Sequence, residues 1–292
     1  MKMDICCIGH ITLDKIVTPV NTIFLPGGTA YYFSHAMAYF AVDYLLVTAL
    51  ADTEQSFVKE LEDRSVRVKT LPSTHTVFFE NIYQQNQDRR TQKVRQQAAP
   101  FSAEDLADVE ASIFHLGPLL AHDMPGEMIE TLAAKGKVSL DVQGFLRRLE
   151  GEEVIPIGWD AKKELLPAVY YLKASEEELN VLTGTVSLEE GARMVASWGV
   201  REVIITCGSK GSVIYTQNNF YNIPAYPPTM IVDATGCGDT YMAGYLYQRV
   251  KGNDPQRAGE FAAAMASLKI ATAGPFKGTT KEINDILQNN GK

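Results

Sequence analysis

Short apolar runs alternate with amphipathic segments of helical period along most of the chain. The apolar runs predict β-strands over residues 4–9, 44–50, 112–117, 137–142, 169–173 and 202–207. Helical periodicity predicts helices over residues 29–40, 54–65, 125–135, 176–183, 188–198, 238–250 and 255–272. Because the strands are apolar almost throughout, they suit a parallel sheet that is covered on both faces. The alternation therefore predicts a doubly wound α/β fold, with a mainly parallel sheet flanked by helices.

Two β-rich segments interrupt this alternation. Residues 74–98 place apolar strands on either side of the very polar stretch 84–90, which predicts a β-hairpin. We expect a small β sheet that projects from the main one, and parts of residues 10–25 could join it. A lid over an active site is the favoured interpretation, with a surface hairpin as the alternative. The apolar residues of the hairpin need cover, which the substrate or the partner in a homodimer could supply. Residues 212–226 predict an antiparallel edge of the main sheet.

Composition narrows the class of protein. Hydrophobic residues make up 46% and charged residues 21% of the 292 residues, as in a soluble globular protein, and we expect a single domain over 1–292. The formal net charge of −8 argues against a nucleic-acid partner.

No apolar run approaches the roughly 20 residues that span a membrane, and no signal pattern opens the chain, so we expect a cytoplasmic protein with no membrane partner. The cysteines and histidines lack the spacing of a zinc site or a disulfide framework.

The segment 233–240, which reads Asp-Ala-Thr-Gly-Cys-Gly-Asp-Thr, is the most informative motif and directly precedes an apolar helix. Glycines at the start of a helix let backbone N–H groups converge on an anion, and the helix dipole adds positive charge there. A carboxylate at the edge of such a site would repel a bound phosphate. The position of Asp239 is explained if its carboxylate removes a proton from a hydroxyl that attacks this phosphate. The motif therefore predicts phosphoryl transfer.

Other candidates lie at the ends of predicted strands, where open α/β sheets bind ligands. Asp14 follows the first strand and could hold substrate hydroxyls, with turn capping as the alternative. Asp141 ends another strand and could bind substrate or make ordinary loop hydrogen bonds. The pair Gly27–Gly28 is not specific by itself, because turns from strand to helix commonly use glycine.

Taken in order, these motifs resemble the ribokinase/PfkB family of carbohydrate kinases over essentially the whole chain. The order runs from Gly9 and Asp14 through Gly27–Gly28 and the polar hairpin to segments 206–211 (Thr-Cys-Gly-Ser-Lys-Gly) and 233–239. The resemblance implies a ribokinase-like fold and an ATP-dependent, Mg²⁺-dependent kinase that phosphorylates a hydroxyl of a small sugar or cyclic polyol. A nucleoside kinase of the same family and a non-catalytic regulator that binds nucleotide or sugar remain alternatives. A dinucleotide-dependent oxidoreductase is disfavoured, because no G-x-G-x-x-G motif follows the first strand.

The resemblance also implies roles for individual residues. Asp239 matches the catalytic base, and the amides around Gly236, Cys237 and Gly238 match an anion hole. Glu178 matches an acid that is associated with the metal, and a monovalent cation such as K⁺ would lie near Asp233 and residues 273–274. The positions that match nucleotide binding are Thr206, Gly208, Gly211 and Thr235. Asp14, Gly27 and Gly28 match the substrate side. We also assign to this side Asp141, from its place at the end of a strand, and Tyr32, which departs from the family pattern.

A few positions depart from the family pattern. Ser175 stands where the N-x-x-E motif has asparagine, although Glu178 is kept. Tyr32 stands where many members have an asparagine that contacts the substrate. It could stack against a ring-shaped substrate or reshape the pocket, so the substrate need not be ribose or fructose. Ala234 and Cys237 replace threonine and alanine, and both are small enough for the turn.

Overall fold

The computed structural model describes residues 2–83 and 90–289, so most of the predicted polar tip of the hairpin falls outside the described residues. In chain order the strands are β1 (Met3–Ile8), β2 (Thr12–Val17), β3 (Thr22–Gly27), β4 (Tyr44–Leu50), β5 (Arg67–Pro72), β6 (Val77–Tyr83), β7 (Arg90–Gln96), β8 (Ala111–Leu116), β9 (Lys137–Asp141), β10 (Arg147–Glu150), β11 (Glu153–Pro156), β12 (Val169–Ser175), β13 (Glu202–Thr206), β14 (Ser212–Thr216) and β15 (Asn219–Ile223). The α-helices are α1 (Thr29–Met37), α2 (Gln55–Glu62), α3 (Glu127–Ala133), α4 (Lys162–Leu165), α5 (Glu176–Thr183), α6 (Leu188–Ser197), α7 (Cys237–Val250), α8 (Pro255–Ile270) and α9 (Thr280–Asn289).

The main sheet has nine strands in the order β15-β14-β13-β12-β9-β8-β1-β4-β5. The seven strands from β13 to β5 pair in parallel, and the edge pairings β13–β14 and β14–β15 are antiparallel. The predicted mainly parallel sheet and its antiparallel edge over 212–226 are both confirmed. All six apolar runs become strands, and the bounds of β4 coincide with those predicted.

Side chains on the two faces of this sheet enter two separate hydrophobic clusters. In β1, Ile5 and Cys7 pack in the first cluster, whereas Cys6 and Ile8 pack in the second. This division follows from the period of two in a strand, which sends successive side chains to opposite faces. Helices α1, α2, α7 and α8 contribute to the first cluster, and α3, α5 and α6 to the second. The sheet is therefore buried between two helical layers, which explains its continuous apolar character.

A second sheet has six strands in the order β10-β11-β7-β6-β2-β3. The predicted hairpin forms as the antiparallel pair β6–β7. Residues from 10–25 join it as β2 and β3, because β2 pairs in parallel with β6 and antiparallel with β3. Val77 and Phe79 on β6 are buried in a small third cluster with Leu119 and Leu120, so their cover comes from this chain itself.

Some predicted bounds were too wide, and several elements were not predicted. Helix α1 ends at Met37 rather than at residue 40, and α2 begins at Gln55 after a single 3₁₀ turn. Strands β5, β10 and β11 and helices α4 and α9 were missed. Among the described residues, the structure contains no helix with the length and apolar character needed to cross a membrane.

Candidate active site

The turn that precedes α7 places Asp239 close to Asp141 and Lys173, on the central strands β9 and β12 of the main sheet. Gly236 caps the helix in the left-handed conformation, with φ of 74°, which glycine adopts without strain. Thr240 donates its N–H to the Gly236 carbonyl at 2.9 Å, so the helix starts directly behind the turn. Asp239 therefore lies in the first helical turn, where it is partly exposed. The first N–H groups of a helix have no intrahelical carbonyl to bind, and the positive end of the helix dipole lies here.

The diglycine brings the Asp14 carboxylate against the start of α1. A Cβ atom on Gly27 would lie 2.6 Å from Oδ2 of Asp14, and one on Gly28 would lie 2.5 Å from the carbonyl oxygen of His10. Gly28 also has φ of 87°. Thr12 Oγ1 donates a hydrogen bond of 2.7 Å to Asp14 Oδ1 and fixes the carboxylate. Both glycines are thus required for close packing, and the predicted substrate-side residues Asp14, Gly27 and Gly28 form one corner.

Tyr32 connects this corner to the turn of α7. Its buried ring packs so closely on Gly236 that a Cβ atom there would be 2.2 Å from the ring. Burial raises the pKa of the Tyr32 hydroxyl, and the carboxylates of Asp233, Asp14 and Asp239 raise it further. The hydroxyl is therefore neutral and lies within electrostatic reach of all three acids. The fold brings the predicted substrate side and the predicted base to the same place.

Lys173 is the centre of a charged cluster that the sequence did not reveal. Its buried Nζ donates a hydrogen bond of 3.0 Å to Asp141 Oδ2 and lies 3.7 Å from Glu178 Oε2. Burial works to lower its pKa, but the carboxylates of Asp141, Glu178 and Asp239 outweigh burial and raise it. A Cβ atom on Gly238 would lie 3.4 Å from the same nitrogen. A permanent positive charge thus lies beside the turn and among three carboxylates.

The electrostatic surroundings of Asp239 suit a general base. Burial raises its pKa from 3.8 to about 6, and the neighbouring Asp141 adds to this rise. Lys173 and a hydrogen bond from Thr29 oppose the shift, because both favour the ionised carboxylate. A base is most effective when its pKa lies near the working pH. At neutral pH this carboxylate is ionised and still able to accept a proton.

Ser175 and Glu178 form a capping box at the start of α5. The Ser175 hydroxyl accepts the Glu178 N–H at 3.2 Å, and the Glu178 carboxylate accepts the Ser175 N–H at 2.7 Å. Gln143 Nε2 donates to the other carboxylate oxygen of Glu178 at 3.1 Å. Serine in place of the family's asparagine therefore completes a capping box, a motif formed by serine or threonine with glutamate three residues later.

The acids of this cluster fit a magnesium complex that arrives with a phosphate donor. Within residues 2–83 and 90–289, no group of three acidic, histidine or cysteine side chains is arranged to hold a metal by itself. Mg²⁺ commonly binds through one or two carboxylates, substrate phosphates and several water molecules. Asp141 and Glu178 provide two such carboxylates beside Lys173. The donor set is therefore suited to a metal that the substrate supplies.

The predicted nucleotide residues lie at the same end of the sheet. Thr206 ends β13 and is paired in register with Ser175 of β12, which places it beside the start of α5. The following turn is tight, because Cys207 donates its N–H to the Gly211 carbonyl at 2.8 Å. Gly208 and Gly211 have φ of 55° and 97°, a conformation that favours glycine. Thr235 is exposed in the turn before α7, where its N–H donates to Asp233 Oδ1 at 2.9 Å.

Cys237 differs from its predicted role in the anion hole. Its N–H donates to the Ala234 carbonyl at 3.2 Å, so the turn itself uses this amide. Burial raises the pKa of its thiol to about 11, which keeps the sulfur protonated and unreactive at neutral pH. The candidate amide donors to a phosphoryl group are therefore those of Gly236 and Gly238, and the Cys237 side chain has a packing role only.

The oxygens of Asp233 near the predicted monovalent cation hold a lysine instead. Nζ of the fully buried Lys269 donates to the Asp233 carbonyl at 2.9 Å and to its Oδ2 at 3.2 Å. The Gly274 N–H also donates to Oδ2, at 3.3 Å. Two acceptors that would ligate K⁺ are thus hydrogen-bonded to an ammonium group that belongs to the chain. One signal for this residue is visible in the sequence, where a lysine lies inside a helix rich in alanine and apolar side chains.

A cavity of about 330 Å³ separates the second sheet from the carboxyl ends of the main strands. Gln92 of β7 and Val154 of β11 line one side, and Gln143 and Glu178 line the other. Its lining is mixed, and the amide groups of Gln92 and Gln143 and the carboxylate of Glu178 supply polar groups that can bind a small polyhydroxyl ligand.

Comparisons with known proteins agree with this architecture. The pfkB family carbohydrate kinase model matches residues 2–281. The chain is 29% identical over 260 residues to a cytidine kinase from Thermococcus kodakarensis, a match that covers 84% of this chain and 87% of that protein. It superposes with a TM-score of 0.86 and 28% identity on a pyrophosphate-dependent kinase of the ribokinase family, solved with a pyrophosphate analog and myo-inositol, and the match covers 98% of this chain and 99% of that one. Ribokinase from Arabidopsis thaliana, solved with ribose and ATP, shares the fold with a TM-score of 0.81 at 21% identity over 99% of both chains.

The fold, the order of the motifs and these matches lead to one assignment. The expected ribokinase-like fold is confirmed, since its mostly parallel sheet flanked by helices recurs in the structural neighbours. The chain belongs to the pfkB family of carbohydrate kinases, whose members are phosphotransferases that act on a hydroxyl group.

Proposed function

We propose that this enzyme transfers the γ-phosphoryl group of ATP to a hydroxyl of a small sugar or cyclic polyol. One observation carries the proposal. Asp239 lies in the first turn of α7, directly after the left-handed Gly236, and its pKa is raised to about 6. A carboxylate there is poorly suited to binding phosphate but well suited to activating a nucleophile beside one.

In the proposed step, Asp239 accepts the proton of the acceptor hydroxyl while that oxygen forms a bond to the γ-phosphorus. The bond between the γ-phosphorus and its bridging oxygen breaks, and ADP leaves with the electron pair. Asp239 then releases the proton to solvent. The amides of Gly236 and Gly238 and the positive end of α7 stabilise the charge on the phosphoryl oxygens.

The cluster of Lys173 with Asp141 and Glu178 would balance the negative charge of the phosphates in this step. Lys173 holds a fixed positive charge next to the turn and orients Asp141 through their hydrogen bond. Asp141 and Glu178 are the residues that we propose to hold the magnesium complex of the donor. When bound, that ion neutralises the negative charge of the phosphates. The sequence predicts Asp141 as a substrate ligand, and its contact with Lys173 favours this electrostatic role as well.

The two ligands would occupy opposite sides of Asp239. Asp14, Gly27, Gly28 and Tyr32 form the corner that we assign to the acceptor, where carboxylate and hydroxyl groups can bind a polyhydroxyl compound. We assign the donor to the end of β13 and the turn before α7, through the positions Thr206, Gly208, Gly211 and Thr235. ATP is abundant in the cytoplasm, where we propose that the enzyme works.

The second sheet is the proposed lid of one domain that spans the whole chain. It faces the cavity beside Glu178 and could exclude water, which otherwise competes with the acceptor for the phosphoryl group. Its outer strand β3 exposes Phe24 and Leu25, and a homodimer through this edge remains part of the proposal.

Two specific similarities justify testing other ligands. The match to a cytidine kinase supports a nucleoside as the acceptor, and the match to a pyrophosphate-dependent kinase supports pyrophosphate as the donor. Purified protein is therefore incubated with Mg²⁺, with ATP or pyrophosphate, and with ribose, fructose, inositols or nucleosides in turn. We expect ADP to form only when the correct acceptor is present. Release of orthophosphate from pyrophosphate that depends on the acceptor, with no ADP formed from ATP, would instead assign pyrophosphate as the donor. Ligand-dependent thermal shifts without turnover on any pair would instead favour a regulator.

A further inference from the structure

Lys269 lies where the family resemblance predicts a monovalent cation. It belongs to the last turn of α8, and its side chain is fully buried. Its ammonium group donates to the backbone oxygen of Asp233 at 2.9 Å and to the carboxylate of the same residue at 3.2 Å. An ammonium group and a potassium ion carry the same charge, are similar in size and prefer oxygen partners.

Asp233 transmits this contact to the turn that carries the catalytic amides. Its Oδ1 accepts the Thr235 N–H at 2.9 Å, one residue before Gly236. Its own N–H donates to the carbonyl of Ile270, the residue after Lys269, at 3.2 Å. The end of α8 is therefore joined to the turn twice, once through the backbone and once through the lysine side chain.

The aromatic wall of the same site adds a third contact. Nζ of Lys269 lies 5.8 Å from the ring centre of Tyr32, within the range of cation–π attraction. The ring of Tyr32 packs in turn on Gly236. Lys269 thus contacts both Asp233, which binds the Thr235 N–H just before Gly236, and Tyr32, whose ring packs on Gly236.

We propose that the ammonium group of Lys269 is a built-in substitute for a monovalent cation and holds the turn 233–238 in its active conformation. The enzyme then needs no potassium, in contrast to the expectation from the family resemblance. A mobile ion must be bound from solution at an entropic cost, whereas this cation is supplied by the folded chain. Lys269 acts as a positioning residue, because its contacts are with the turn rather than with the reacting atoms.

The catalytic part of this inference rests on the proposed phosphoryl transfer, so the test includes a measurement that needs no activity. Wild-type protein is assayed in potassium chloride and in the same concentration of tetramethylammonium chloride. Binding of thallium(I), a spectroscopic substitute for potassium, is measured in parallel by ²⁰⁵Tl NMR. We expect the two rates to agree within about twofold, and we expect no saturable thallium binding. Activation by potassium together with saturable thallium binding would overturn the inference.

Substitution of Lys269 separates positioning from simple packing. Lys269→Met removes the charge and keeps the length, and Lys269→Ala opens space for an ion. Because misplaced donors act on the transition state, we expect kcat to fall by about 10- to 100-fold with a smaller change in the acceptor KM. We also expect potassium or ammonium to restore part of the activity of Lys269→Ala but none of the activity of Lys269→Met.

Lys135→Met is the matched control, because Lys135 also donates to backbone carbonyls, at 2.9, 2.9 and 3.3 Å, but these belong to segment 106–109 and not to the turn. A kcat in Lys269→Met equal to that of Lys135→Met would overturn the inference. If the Lys269 variants fail to fold, the wild-type potassium and thallium measurements decide the question. If the protein shows no phosphoryl transfer, the proposed function fails, and thallium binding still tests the lysine.

Discussion

The ring of Tyr32 lies directly on the backbone of Gly236, with no room for a side chain between them. A Cβ atom at position 236 would approach the ring atoms to 2.2 Å. This contact joins the start of α1, which carries the acceptor corner, to the turn that carries the proposed base. The contact leaves one face of the ring against the turn, which favours a role for Tyr32 in shaping the pocket over free stacking against a substrate.

Gly236→Ala should disrupt this contact and the turn together. The left-handed backbone and the clash with Tyr32 should destabilise the protein by about 2–4 kcal/mol and reduce kcat by about 100-fold. Gly252→Ala is the matched control, because Gly252 also has a positive φ, of 81°, but nothing lies within 4 Å of a Cβ atom there. Chemical denaturation and steady-state kinetics compare the two. Equal destabilisation by both substitutions would show that the ring contact has no effect.

Tyr32→Phe should separate the hydroxyl from the packing of the ring. The ring remains on Gly236, so we expect the free energy of unfolding to change by less than about 1 kcal/mol. The acceptor KM should rise about fivefold, because the lost hydroxyl lies near Asp14 and can bind a substrate hydroxyl. Tyr32→Asn, which restores the residue common in the family, should instead destabilise the protein by about 2–4 kcal/mol through the cavity it leaves. A donor KM that rises in Tyr32→Phe while the acceptor KM stays constant would contradict the assigned side.

Lys173→Met should expose the mutual repulsion of the acidic cluster. The loss of the ammonium group leaves Asp141 and Glu178 without their shared cation, which should cost about 3 kcal/mol of stability. The pKa of Asp239 should rise further, because Lys173 normally lowers it. The acidic limb of the pH–rate profile should therefore move to higher pH. Lys59→Met, at an exposed ion pair, serves as the control and should leave the profile unchanged.

The stability of the protein should also report the raised pKa of Asp239. Its pKa is about 6 in the folded protein against an ordinary value of 3.8, so the ionised carboxylate destabilises the fold. This cost is fully present above about pH 6 and disappears as the pH falls through 3.8. Asp239→Asn should thus stabilise the protein by up to about 2 kcal/mol at about pH 8, and by less at about pH 5. A gain that grows as the pH falls would contradict the sign of this shift.

The sequence predicted those features that are contained in one contiguous segment. The apolar run of β4 and the helix α5 have the bounds that were predicted, because periodicity alone defines them. The motif 233–240 predicted phosphoryl transfer for the same reason, because its glycines and Asp239 are neighbours in the sequence. Strands β5 and β10 were missed because charged residues interrupt them, at the edge of each sheet.

Contacts between distant segments could not be predicted in the same way. Lys173 and Asp141 are 32 residues apart, and Lys269 and Asp233 are 36 apart. Nothing in either segment specifies which carboxylate the lysine meets, since that depends on the order of strands and helices in the fold. The resemblance to the family predicted a cation near Asp233, and only the packed structure showed that Lys269 donates hydrogen bonds to the Asp233 oxygens.

The proposed role of Asp239 is tested most directly by the rate of phosphoryl transfer in Asp239→Asn. Single-turnover transfer to the acceptor is measured beside ATP binding by calorimetry, with the exposed Asp63→Asn as the control. We predict that Asp239→Asn transfers phosphate at least about 1,000-fold more slowly while its affinity for ATP changes little. In the wild type, kcat/KM should fall as the pH drops below about 6, because the base becomes protonated. Transfer by Asp239→Asn at the rate of Asp63→Asn would contradict the assignment of the base.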